Sequence, residues 1–222
     1  MARASIMIVL FYLMHYSGRD LLLSYGIVSR PWSTFIVYAA LFVVALLTYG
    51  KHLVSEWSRF RKRRKKLGSF LLELLLWSIA SLAITVALYF TISGIFNISI
   101  LPGGQGTVSS LVSNLPVFPS ILLIAISVPL VQELTFRESI IGVNRRSHKF
   151  QLFLSSAISV VAFIMIQINS TKEFYFYLPL AIAATAFYRR YDRNVWASIA
   201  FHALFNIISF LLLRFVPAFG SA

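Results

Sequence analysis

Seven long apolar runs organise this sequence, at 4–17, 33–50, 69–97, 118–136, 151–169, 174–188 and 195–215. Crossing a hydrocarbon core about 30 Å thick takes roughly 20 helical residues. In lipid, a continuous apolar run must be a helix, because only then do its backbone groups pair internally. The runs lack the period-2 alternation of β-barrel strands. The fold class predicted is all-α, a polytopic transmembrane helix bundle of about seven spans. The first and sixth runs are short, and the third is long enough to tilt or break.

Composition closes off the soluble alternatives. Of the 222 residues, 59% are apolar and 12% charged, against roughly 45–50% and 25% in soluble domains. The chain reads as one integral membrane domain over 1–222. Residues 1–117 hold the N-terminal spans with a polybasic loop at 51–68, and 118–215 hold the polar motifs. There is no cysteine, hence no disulfide, thiolate metal site or cysteine nucleophile.

The net charge is +13, from 20 Lys+Arg against 7 Asp+Glu. No basic helix stands apart from the apolar runs, so nucleic acid is not expected as a partner. The positive-inside rule explains the excess better. RKRRKK at 61–66, with Lys51 and Arg59, makes 51–68 cytoplasmic. Alternating spans then place 137–150 (Arg137, Arg145, Arg146, Lys149), 189–194 (Arg189, Arg190, Arg193) and Arg3 on the same side. That topology puts the N-terminus in and the C-terminus out, with 18–32 as a possible interfacial segment. His15-Tyr16-Ser17-Gly18 offers no signal-peptide cleavage site, so a retained first helix is expected. The outer segment 98–117, with PGGQG at 102–106, reads as a cap or re-entrant turn. Arg61–Lys66 beside a span also suit anionic lipid head groups, at about 1 kcal/mol per cation.

Ionisable and amide residues inside spans are costly in lipid and mark candidate sites. In QELTFRE at 132–138, Glu133 and Arg137 stand four apart and share a helix face. They suit either a site or an anchoring ion pair. In HALFN at 202–206, His202 and Asn206 also stand four apart. They could orient water, bind a metal, stabilise an oxyanion or join helices by hydrogen bonds. Gln167, in FIMIQ at 163–167, reads alone as interhelical glue. Glu73 reads as a surface pair with Lys65 or Lys66, and His15 and His52 carry no recognisable spacing. No HExxH, phosphate loop or GxSxG is present, and no cofactor is expected.

The order of these motifs resembles the CPBP family, also called Abi or type II CAAX prenyl protease-like proteins. Its pattern is EExxxR, FxxxH and HxxxN on successive membrane helices. Here it reads QELTFR at 132–137, FIMIQ at 163–167 and HALFN at 202–206, covering about 130–210. In proteolytic members the resemblance implies that the first Glu and the motif-two His activate water. The last His and Asn stabilise the oxyanion. The matching positions are Gln132, Gln167, His202 and Asn206, with Glu133 and Arg137 completing the first motif. Glutamine replaces both the expected Glu and the expected His, and an amide cannot act as general base.

Three functions follow as expectations. The first is a catalytically impaired scaffold or regulator of another membrane protein, such as a sensor kinase or cell-envelope enzyme. The second, implied by the resemblance, is an active endopeptidase with Glu133 as base and His202 and Asn206 as oxyanion donors. It would process CAAX-type or bacteriocin-like peptides, self-immunity included. The third is a transporter or lipid-binding component; the lack of paired Gly/Pro-interrupted spans counts against it. The location expected is a bacterial cytoplasmic membrane. Gln132 lies near the inner end of its run and Gln167 about 24 Å along its helix, so their meeting requires a tilted or earlier-starting helix.

Overall fold

The computed structural model describes residues 2–63, 66–96, 115–143, 148–168 and 170–215. The expected cap at 98–117 lies almost wholly outside them, as do Arg64, Lys65, Arg145 and Arg146. Each predicted run is helical over most of its described length. The helices are α1 (Ala2–Ser24), α2 (Arg30–Arg63), α3 (Leu67–Phe96), α4 (Val117–Gly142), α5 (Lys149–Met165), α6 (Phe174–Arg190) and α7 (Val195–Phe215). Five of them, α1 to α4 and α7, are long and apolar enough to cross a membrane; α5 is a shorter apolar helix.

Three boundaries differ from the sequence reading. The helix of α1 continues to Ser24, so 18–32 is not a single interfacial segment. It stops because Gly26 adopts φ 62°, while Gly26 N–H reaches Leu23 O and Ile27 N–H reaches Leu22 O. That pair of bonds closes the last turn on a left-handed residue, which glycine adopts without a Cβ penalty. Secondly, 51–63 is not a loop. Lys, Arg, Glu and Trp there sustain the helix, and cations suit its C-terminal end. At 34 residues and 1.5 Å per residue, α2 outruns the hydrocarbon core, so its basic end stands beyond it. Thirdly, of the tilt or break expected for the third run, α3 shows no break.

The core runs along α4, which packs against α1, α2, α5 and α7. Leu41, Ala45, Val131, Leu134, Phe136, Phe163, Phe187 and Phe201 are fully buried in it. Ala181, Ala183 and Ala184 let neighbours approach α6 closely, the small-residue packing of membrane helices. Leu71, Leu72, Leu75 and Ile79 on α3, with Phe150, Phe153 and Ile158 on α5, face outward. That belt is what lipid contact requires.

At one end of the bundle a polar knot ties α2 and α3 to the α6–α7 turn. Asn194 caps α7 by accepting the Trp196 N–H (3.0 Å) and donates to Glu56 O and Oε2 (2.8 and 3.1 Å). Arg59 pairs with Glu56 and donates to the carbonyls of Asp192 and Arg193 (3.3 and 3.1 Å). Those two residues hold left-handed φ of 53° and 57°. Glu73, whose expected surface partner Lys65 lies outside the described residues, is engaged from another element. It reaches across to Arg190 and accepts from the Tyr191 hydroxyl (2.9 Å). Burial, and then the Glu73 carboxylate, hold the Tyr191 phenol well above its ordinary range.

Candidate functional site

Two stretches of α4, Leu122–Ser127 and Glu133–Gly142, are π-helical. Wide turns of this kind are uncommon and concentrate at functional sites. The second opens on Glu133 and carries almost the whole first motif, buried throughout.

Glu133 is the hub. Its Oε1 accepts from Arg137 Nη1 (2.9 Å) and from His202 Nδ1 (2.8 Å). All three side chains are 2% exposed or less. Arg137 is therefore a residue of the bundle interior rather than of the 137–150 loop. Its Nη2 donates to Ala181 O of α6 (3.1 Å), and its guanidinium lies 4.3 Å from the Phe163 ring centroid. Phe163 also meets the His202 ring edge-on at 5.6 Å. Cation–π contact is strongest when desolvated, so the aromatic residue of the second motif shields the charged residues of the other two. Among the described residues, Glu133 Oε2 and Arg137 Nε have no hydrogen-bond partner.

The two glutamines do meet. Gln167 Nε2 donates to Gln132 Oε1 (3.2 Å), and Gln132 Nε2 donates to the Tyr38 hydroxyl (2.9 Å). Tyr38 in turn lies 3.5 Å from His15 Nδ1. The depth mismatch narrows from the α4 side, because α4 runs on to Gly142 and Gln132 is not near its end, while α5 ends at Met165. Gln167 then sits on the turn beyond the helix and reaches back to α4.

Asn206 stands apart from His202 despite sharing its helix face. Its Nδ2 donates to Ile124 O (2.9 Å). In the π segment, Val128 N–H bonds Leu123 O, which leaves Ile124 O to the N–H of residue 129. That residue is proline and has none. Asn206 thus satisfies a carbonyl that Pro129 orphaned.

Sequence reasoning missed a second polar cluster. His52 Nε2 bonds Glu138 Oε1 (2.8 Å), Tyr188 Oη donates to Glu138 Oε2 (2.9 Å) and Tyr49 Oη bonds Ser139 Oγ (2.8 Å). Gly142 makes room, since a Cβ there would lie 2.6 Å from Tyr188 Oη and 2.7 Å from Glu138 Cδ. His15, Tyr38, Tyr49 and His52 come from α1 and α2, far away in sequence, and no local spacing signals them. Glu138, next to Arg137 in the quoted motif, was the available clue. Among the described residues, no group of three or more His, Asp or Glu side chains is placed to hold a metal ion.

The fold and site together define an integral membrane helix bundle enclosing a charged and amide-rich interior site. Residues 114–208, from just before α4 into α7, match the family model Type II CAAX prenyl endopeptidase Rce1-like. Over that region the chain is similar to CAAX-protease-family membrane proteins. No curated protein and no solved structure matches the chain.

Proposed function

We propose that this protein is a non-proteolytic member of its family, acting as a membrane scaffold or regulator of a partner membrane protein. One observation carries this reading. The positions expected to activate water form an amide ladder, Gln167 to Gln132 to the Tyr38 hydroxyl. Each amide donates within the ladder, and the ladder holds no basic carboxylate. Oε1 of the one nearby carboxylate, Glu133, is already spent on Arg137 and His202. The partner fitting the outward apolar belt is another membrane protein, such as a sensor kinase or cell-envelope enzyme. Anionic lipid at Arg61–Lys66 would hold the protein in a bacterial cytoplasmic membrane, with that segment and the N-terminus inside.

One feature favours the second reading, an active endopeptidase for CAAX-type or bacteriocin-like peptides, self-immunity included. Among the described residues, Glu133 Oε2 has no hydrogen-bond partner within bonding geometry, which leaves it open to accept from water. The test is cleavage of a prenylated CAAX-type peptide by protein reconstituted in vesicles, alongside affinity purification from native membranes. Wild type should leave the peptide intact and carry a stoichiometric membrane protein with it. A Gln132→Glu/Gln167→His variant should gain cleavage, because general-base assistance is worth roughly 10²–10⁴-fold. Turnover by wild type that Glu133→Gln abolishes would establish the endopeptidase instead.

A further inference from the structure

At the end of the bundle that holds the Glu56–Arg59–Asn194 knot, a cleft of about 890 Å³ opens beside the α6–α7 turn. Its rim carries four guanidinium groups, Arg59, Arg189, Arg190 and Arg193, against the single carboxylate of Asp192. Two of the arginines are held in place from behind. Arg59 is fixed by Glu56 and by the carbonyls of Asp192 and Arg193, and Arg190 by Glu73. Counting Glu56 and Glu73 with the rim still leaves it net positive. Arg189 is exposed.

Cations on the last turn of α6 complement its dipole, and that alone accounts for Arg189 and Arg190. It does not account for Arg59 arriving from α2, nor for Arg193 from a turn of two consecutive left-handed residues. Such backbone is disfavoured for any residue with a Cβ and tends to collect at binding sites. It also does not account for the inner wall. Trp77 of α3, Leu152 of α5 and Ala186 of α6 line the same cleft as the arginines. A small free anion gains nothing from that wall, whereas an acyl chain does.

Guanidinium groups match phosphate oxygens in two-pronged, charge-assisted hydrogen bonds. Basic pockets between membrane helices suit anionic head groups. We propose that this cleft binds the head-group phosphate of an anionic phospholipid at the arginine rim, with the lipid's acyl chain against Trp77 and Leu152. The site is separate from the Gln132–Glu133 cluster and does not depend on the function proposed above. It also differs from the 61–66 segment, whose attraction for lipid would be diffuse.

The test is native mass spectrometry of the delipidated full chain, titrated with phosphatidylglycerol or phosphatidylcholine. Wild type should prefer phosphatidylglycerol. Arg189→Gln, at an exposed position, should weaken that lipid about fivefold, and Arg189→Gln/Arg193→Gln about 30-fold. Arg61→Gln/Lys62→Gln should leave it unchanged. Leu152→Trp, which fills the apolar wall, should weaken the lipid with the arginines intact. Undiminished preference in the Arg189/Arg193 variant, or in Arg189→Gln if the double variant does not fold, would overturn the proposal. So would equal loss in the Arg61/Lys62 variant, which would mean diffuse attraction. Displacement of the lipid by equimolar inorganic phosphate would show a free-phosphate site and overturn the lipid assignment.

Discussion

Gly142 and Asn206 hold their places for reasons that single substitutions expose. At Gly142 the space a methyl would need is filled by Tyr188 Oη and the Glu138 carboxylate. Overfilling a packed interior costs about 1–3 kcal/mol. Gly142→Ala should lower the thermal midpoint in detergent accordingly. Adding Tyr188→Phe removes the nearest clashing atom, so the double variant should recover part of the loss; full additivity would mean that the strain lies elsewhere. Asn206→Ala leaves the Ile124 carbonyl unpaired, at roughly 1–2 kcal/mol. Pro129→Ala restores an N–H at the position that should bond this carbonyl, so it should rescue Asn206→Ala. A rescue that does not occur would show that Asn206 acts through some other contact. Sequence spacing put His202 and Asn206 on one face correctly, but their shared face does not mean a shared partner. His202 meets Glu133 while Asn206 meets Ile124, because α7 and α4 run antiparallel.

Within α4, the charged residues behave as a unit. Glu133 and Arg137 are wholly buried, so removing one leaves an uncompensated charge in a dry interior. Arg137→Met should cost about 3–5 kcal/mol. Glu133→Gln/Arg137→Met should be milder than Arg137→Met alone, since neither unpaired charge remains. A chemical-denaturation cycle in detergent checks this, and a double variant worse than the single would contradict it. The Glu133–Arg137 pairing was legible from its four-residue spacing. The helical runs were legible too, because lipid leaves an apolar segment few alternatives. What stayed hidden was everything set by tertiary contact. The π turns of α4 change no composition and leave no periodic trace. The His52–Glu138 pair joins residues on α2 and α4, and the Gln132–Gln167 contact depends on α5 ending at Met165.

The whole bundle has a strongly basic end and one with few charges that nearly balance, and the contacts define both. Arg59, Glu73, Arg190 and Asn194 meet across α2, α3 and the α6–α7 turn, so the ends of α2 and α6 lie together. The start of α5 follows the end of α4, whose Glu138 bonds His52 near that same end. The Schellman turn after α1 and the Thr171–Glu173 turn before α6 then belong to the opposite face. The positive-inside rule orients the pair, because lysine and arginine near span ends resist translocation. The chain has no cysteine, so single replacements report cleanly. Lys62→Cys and Lys149→Cys should react with a membrane-impermeant maleimide only after cells are permeabilised. Tyr25→Cys and Thr171→Cys should react in intact cells. The same sidedness at Tyr25 and Lys62 would mean that α2 does not span. A reversed pattern would keep the bundle but place the arginine cleft in the outer leaflet. There, phosphatidylglycerol and the partner proposed for this protein would have to be met on the other side of the membrane.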